Sequence, residues 1–248
     1  MDQAALTKAL AEHKASEPHG SGFGNYIQDI VYGANDGIVT TFAVVSGVEG
    51  AQLAPYVVVI MGFANVFADG LSMGLGNYLS IRSKRDNYRR ILKEELNEIR
   101  DIPEIEREEI REVYRAKGFS GADLETVTRV ITSNKDVWAD TMMREEHGLA
   151  AEDTDRPAVH GLVTFAAFIL FGSIPVLSYI LPIGETQRFP VTIISTVVAL
   201  LVVGLLRSWV TRERIFRGPL EILSIGTLCA AAAYLVGAAL RGFVGVAI

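Results

Sequence analysis

The stretch PYVVVIMGFANVFADGLSMGLGNYLSIRSKRDNYRRILKEELNEIR, residues 55–100, changes character halfway along. From Pro55 to Ser80 it is apolar for longer than the roughly 20 residues a helix needs to cross a bilayer. From Ile81 onward it is charged. No Gly or Pro interrupts residues 81–100, so the spanning helix is predicted to continue as a polar one to about Arg100. A membrane span that runs into a charged helix decides the fold: an all-α polytopic membrane protein with a helical domain inserted after its second span.

Four further apolar runs support this reading, at Ile27 to Val48, Val159 to Leu181, Val191 to Val210 and Leu220 to Val246. Half of the 248 residues are hydrophobic and the mean hydropathy is positive, with the apolar content gathered into blocks. Five transmembrane helices are therefore expected. The organisation is an N-terminal segment 1–25, helices 1 and 2 over 26–80, a charged helical domain over 81–157, and helices 3 to 5 over 158–248. Arg82, Lys84, Arg85, Arg89 and Arg90 follow the second run, and Arg207, Arg212, Arg214 and Arg217 join the fourth to the fifth. Positive flanks mark the cytoplasmic side, and two crossings separate these clusters, so both belong there together with the N-terminus and the inserted domain. The first residues lack the apolar core and cleavage site of a secretory signal. Cys229 is the single cysteine, which excludes an internal disulfide and reads as packing. The net charge of -6 makes nucleic acid an unsuitable partner.

Within the charged domain, two kinds of glutamate separate. Glu104, Glu108 and Glu112 each have an arginine three residues on, at Arg107, Arg111 and Arg115, and form a solvated face. Glu95, Glu98, Glu106 and Glu109 meet only Ile, Leu, Val, Pro or another acid at the neighbouring helical positions. Inward carboxylates without counter-charge repel one another and lose hydration, which a divalent metal reverses. The spacing alone leaves two readings open, a metal site or a helix bundle with an acidic seam. Met142 lies one turn before Glu146, and a thioether beside a carboxylate suits a borderline transition ion; filling the core is the competing role.

Helix ends are legible too. Asp101 followed by Pro103 and Glu104 predicts a capped helix start, Gly118 a stop, Ser120 and Asn134 two further starts, and Gly148 the last end. In the apolar runs, Asp36 and Asp69 are the notable residues, with Asn65 and Met73 one turn either side of Asp69. An ionised Asp at mid-bilayer costs on the order of 3 kcal/mol on insertion scales, so it belongs to a protein interior or an ion route. Asp29 is expected near the interface, within reach of water. Gly33 and Gly37, and Gly70 and Gly74, form small-residue pairs that let helices approach closely. Pro175 is expected to kink the third span.

Three motifs, YGANDGIVTTFAVVSG at 32–47, ADGLSMGLGNYLS at 68–80 and WADTMMREEHGL at 138–149, resemble the vacuolar iron transporter family from about Tyr26 onward. The resemblance implies a five-span homodimer in the bilayer that moves Fe(II), and often Mn(II), out of the cytosol in exchange for protons. It places the membrane path on Asp36 and Met73, which Asp69 joins from the residue reading. The cytosolic metal site falls on Glu95, Glu98, Glu106, Glu109, Met142 and Glu146. No prosthetic group is expected: Fe(II) is substrate and bound metal, with Mn(II) or Zn(II) as further candidates. Asn77, Glu145, His147 and Ala150 depart from the family pattern; His147 offers a further nitrogen ligand, but alone beside a helix end it is expected to be solvated.

No Ser/His/Asp, Cys/His or phosphate-loop arrangement stands in a suitable context, so an enzyme is not expected. The rival readings are a membrane-anchored iron buffer or sensor without transport, and a partner-docking module. The lack of a targeting extension points to the inner (plasma) membrane of a prokaryotic cell.

Overall fold

A computed structural model describes residues 2–16, 24–150, 156–211 and 214–244. Glu17, Arg212 and the expected end of the last run at Val246 lie outside these residues. Ten α-helices follow one another among the described residues, with a 3-10 turn at Gly24–Tyr26. They are α1 (Gln3–Ser16), α2 (Ile27–Gly50), α3 (Pro55–Asp101), α4 (Pro103–Ala116), α5 (Gly121–Thr132), α6 (Lys135–Glu145), α7 (Pro157–Gly172), α8 (Ile174–Ile180), α9 (Glu185–Thr211) and α10 (Arg217–Val244). As the unbroken sequence predicts, α3 is one helix of 47 residues.

Two compact units divide the chain, one of Met1–Tyr78 with Ala158–Ile248 and one of Leu79–Pro157. In the first, α3, α9 and α10 are long and apolar enough to cross a membrane, and α7 with α8 forms a fourth candidate bent by 42°. The bend stands where Pro175 was expected to kink the chain, with the proline in the first turn of α8. Leu170, Trp209 and Leu228 are each about 70% exposed, which suits a lipid-facing surface and not an aqueous one. The fifth run, α2, has 24 residues but carries Asp29, Asp36 and Glu49. It is also the most enclosed. Its Ala34, Ile38 and Val39 pack with Ala199, Leu200 and Val203 of α9 and Ile222 of α10, while its Val45 and Val48 pack with Val58, Val176 and Tyr179. A helix that faces its neighbours need not be as apolar as one that faces lipid.

Small residues set the spacing of α2, α3 and α7. A Cβ on Gly37 would lie 2.6 Å from the carbonyl oxygen of Phe168, and one on Gly74 would lie 2.8 Å from that of Gly161. Backbone cannot yield as a side chain can, so these contacts admit only glycine.

The second unit is built on α4, α5, α6 and the charged half of α3, around Ile99, Ile110, Ile131, Trp138, Ala139 and Met142. Asn134 caps α6, accepting from the N–H groups of Asp136 and Val137. Gly118 terminates α4 at φ +98°, and Ser120 opens α5 in extended conformation without a side-chain cap bond. One expected cap differs. Asp101 ends α3 and pairs with the neighbouring Arg100 at 2.7 Å, while Ile102 takes the cap position of α4. The adjacent guanidinium holds the carboxylate that the backbone N–H groups were expected to attract.

Gly37→Ala should lower the thermal stability of the purified protein in detergent by about 1–3 kcal/mol. Gly76→Ala, where an added Cβ meets nothing within 4 Å, should leave it unchanged or raise it. Equal effects at both positions would refute the close-approach account.

Candidate metal centre and membrane acids

The acidic group of the second unit is assembled from three helix segments. Glu95 and Glu98 stand on α3, Glu106 and Glu109 on the first two turns of α4, and Glu146 with His147 at the end of α6. Ile99 and Ile110, one turn after Glu95 and Glu106, belong to the apolar cluster, so both carboxylates are drawn inward to 3% exposure. Gly148 adopts φ +64°, and the N–H of Leu149 returns to the carbonyl of Met143 at 2.7 Å. That left-handed turn closes α6 and fixes Glu146 and His147 beside the other acids.

One ligand atom from each of Glu95, Glu98 and Glu106 lies within 4.8 Å of the others, as does one from each of Glu95, Glu146 and His147. Oε2 of Glu95 and Oε2 of Glu106 are buried with no hydrogen-bond partner. A buried carboxylate oxygen without a donor is costly, and a cation is the partner that removes the cost. Desolvation pushes the Glu106 carboxyl up to about 7, with added repulsion from Glu109, Glu95, Glu98 and Glu146. Glu109 is raised by desolvation and by Glu146, Glu95 and Glu98. Glu95 is also raised by desolvation, against the opposing effect of the His147 hydrogen bond.

The solvated face is largely as the sequence predicts. Arg107 donates to Glu104 at 2.6 Å and Arg111 to Glu108 at 2.8 Å. Arg115, expected to serve Glu112, reaches Glu108 instead at 3.4 Å, and Arg111 also ties α4 to Glu125 of α5. Two residues need correction or refinement. His147 is not simply solvated: its Nε2 donates to Glu95 Oε1 at 2.8 Å, and that bond holds the imidazole above its usual range. Glu145 turns away from the acids to pair with Lys117. Met142 is fully buried in the apolar cluster, so packing is the role its surroundings support directly.

In the membrane unit, Asp36 of α2 is half-buried and within the electrostatic reach of Asp69 on α3. Asp69 is exposed on the single chain, and Met73, one turn on, is partly covered. The water access expected for Asp29 is overturned. The residue is buried, with Oδ1 accepting from Asn77 at 2.7 Å and Oδ2 from His160 Nδ1 at 2.6 Å. Asn77 also donates to Thr164 at 2.7 Å, and the Tyr26 ring lies 4.8 Å from that of His160. His160 and Thr164 escaped the sequence reading. The available signal was an ionisable His at the start of an apolar run.

Residues 27–238 match the model of the VIT family. The chain is similar to "Vacuolar iron transporter 1" of Eucalyptus grandis, 32% identical over 227 residues that cover 92% of this chain and 90% of that protein. It is also similar to "Vacuolar iron transporter 1" of Oryza sativa subsp. japonica, 34% identical over 212 residues covering 85% and 84%. A third relative, "Vacuolar iron transporter" of Plasmodium falciparum (isolate 3D7), is 32% identical over 224 residues covering 87% and 82%.

A carboxyl raised from 4.5 to about 7 stabilises the metal-free fold in full below 4.5 and loses that contribution as pH rises through 7. Glu106→Gln should therefore stabilise the metal-free protein at pH 8, by up to about 3 kcal/mol, and by little at pH 5. Thermal unfolding at the two pH values checks this; an equal offset at both would show that Glu106 is not held protonated.

Proposed function

Because the chain belongs to the VIT family, we propose that it is a membrane transporter that moves Fe(II), with Mn(II) as a second substrate, out of the cytosol. The observation that carries this reading is the pair of unpartnered buried oxygens on Glu95 and Glu106, set among Glu98, Glu109 and Glu146. Such a site collects a divalent ion from solution. Met142, one turn before Glu146, is the proposed soft contribution to it.

From this site the ion passes to a path formed by Asp36, Asp69 and Met73. The carboxylates offset the ion's lost hydration, and the thioether of Met73 favours Fe(II) over Mg(II) or Ca(II). In this reading α2 is the fifth crossing, since a helix enclosed by α8, α9 and α10 can carry acids through the bilayer. An exposed Asp69 beside the exposed Phe67 and Leu71 cannot face lipid at acceptable cost. A second copy covering that face of α3 makes the protein a homodimer with its path enclosed. The Lys and Arg residues after Ser80 assign residues 81–157 and the N-terminus to the cytoplasm.

Carboxylates take up metal only when deprotonated, so capture in a neutral cytosol and release into a more acidic compartment couple metal to proton exchange. The named relatives are vacuolar proteins of eukaryotes and lend no support to a prokaryotic plasma membrane. The chemistry assigned here is binding and movement of an ion, without a reaction on a substrate. A buffer or sensor that binds iron without moving it is the second reading, and the acids within the apolar helices favour transport over it.

Purified protein in liposomes should accumulate Fe(II) in response to an imposed pH gradient. Asp36→Asn should reduce that flux to the level of empty vesicles while the detergent-solubilised variant still binds metal. Normal transport by this variant would overturn the path, and binding without flux in the unaltered protein would favour the buffer.

A further inference from the structure

His147 is the one nitrogen donor among the acids of the second unit's candidate site. Its Nε2 stands 2.8 Å from Glu95 Oε1, and Glu95, Glu146 and His147 each offer one ligand atom within 4.8 Å of the others. The side chain of Glu95 is 3% exposed and that of His147 30%, so the pair joins the buried floor of the cluster to its open side. Nothing in a solvated surface histidine requires this placement. It follows from the left-handed turn at Gly148, which ends α6 with residue 147 directed at α3.

The spacing matches a coordination edge. Ligands about 2.0–2.1 Å from a metal and at right angles to one another are about 2.8–3.0 Å apart. The separation of Nε2 and Oε1 is therefore that of two adjacent ligands of one ion. The other oxygen of Glu95 and one oxygen of Glu106 have no partner and are ready to complete the shell. The hydrogen bond between imidazole and carboxylate is what a metal would replace, with the Nε2 proton leaving to solvent and Nδ1 keeping its own.

We propose that His147 is a metal ligand and the specificity-determining residue of this cytosolic site, which makes it a mixed nitrogen and oxygen centre for borderline transition ions. The proposal rests on the reading of the acidic cluster as a metal site and goes beyond it. Carboxylates alone accept Mg(II), Ca(II) and Mn(II) readily, whereas an imidazole adds affinity for Fe(II) and Zn(II) far more than for the hard ions. The histidine would thus sort ions by their preference for nitrogen before any of them reaches the membrane path.

The test uses the full-length, untagged protein in detergent, loaded in turn with Cu(II) as a paramagnetic probe, Zn(II), anaerobic Fe(II) and Mn(II). Electron paramagnetic resonance of the Cu(II) form should show coupling to an imidazole nitrogen that disappears in His147→Gln and persists in His160→Gln. The same His147→Gln change should weaken Zn(II) and Fe(II) binding by about 10- to 100-fold and Mn(II) by less than about threefold. Gln can still donate a hydrogen bond to Glu95, so a residue that only positioned that carboxylate would be rescued by it. Retained selectivity in His147→Gln, or nitrogen coupling unchanged by it, overturns the proposal. Failure of the underlying site looks different: no saturable binding of any ion, or binding indifferent to Glu106→Gln.

Discussion

Repulsion among carboxylates held away from water is the constraint on which the second unit, Leu79–Pro157, turns. Glu95 and Glu106 are carried inward by helices whose next turns, at Ile99 and Ile110, belong to the apolar cluster. The fold cannot bury the isoleucines without burying the acids. Among the described residues no Lys or Arg is paired with either acid, although arginines one helical face away are engaged with Glu104, Glu108 and Glu125. The arrangement separates the two charge populations, leaving one neutralised in solvent and the other strained until a cation or a proton arrives. The cost of the second population is accepted by the fold because four helices converge on the same hydrophobic cluster.

The membrane half solves a related problem by a different route. The helix that brings Asp29, Asp36 and Glu49, α2, is placed among its neighbours, where glycines at 33 and 37 bring α7 close enough for backbone contact. Asp29 is satisfied there by an asparagine and an imidazole, so it is a fully paired polar group. Asp36 and Asp69 have no such partner among the described residues; they influence one another electrostatically at a face that the single chain leaves partly open. Among the acids of α2, Asp29 holds helices together, Glu49 accepts from Tyr179, and Asp36 is the one proposed for the ion. The difference lies in which neighbours the glycine contacts bring within reach.

Much of this was legible in the sequence because the governing signals are local. The absence of basic neighbours at helical spacing singled out Glu95, Glu98, Glu106 and Glu109, and the lack of Gly or Pro after Ser80 predicted the continuous α3. Gly118, Asn134 and Pro175 marked ends and bends where the chain has them. What spacing gives is a face, however, and it says nothing of depth. Spacing put Met142 on a face of α6 with Glu146, but its complete burial depends on α3, α4 and α5 packing around it. Asp101 was lost to a neighbour one residue away, a competition that a capping pattern does not weigh. His147 and Asp29 were misread for a further reason, since their partners are 52 residues distant in one case and 48 and 131 in the other.

That last separation bears on how the protein is made. Asp29 belongs to the earliest apolar helix, yet His160 is synthesised 131 residues later, after the whole charged unit. At about 5–20 residues per second, the carboxylate waits on the order of ten seconds for its imidazole. During that interval Asn77 of α3 can serve Oδ1 of Asp29, but Oδ2 lacks the partner it has in the finished fold. Biogenesis of the membrane half is thereby tied to completion of the unit inserted within it.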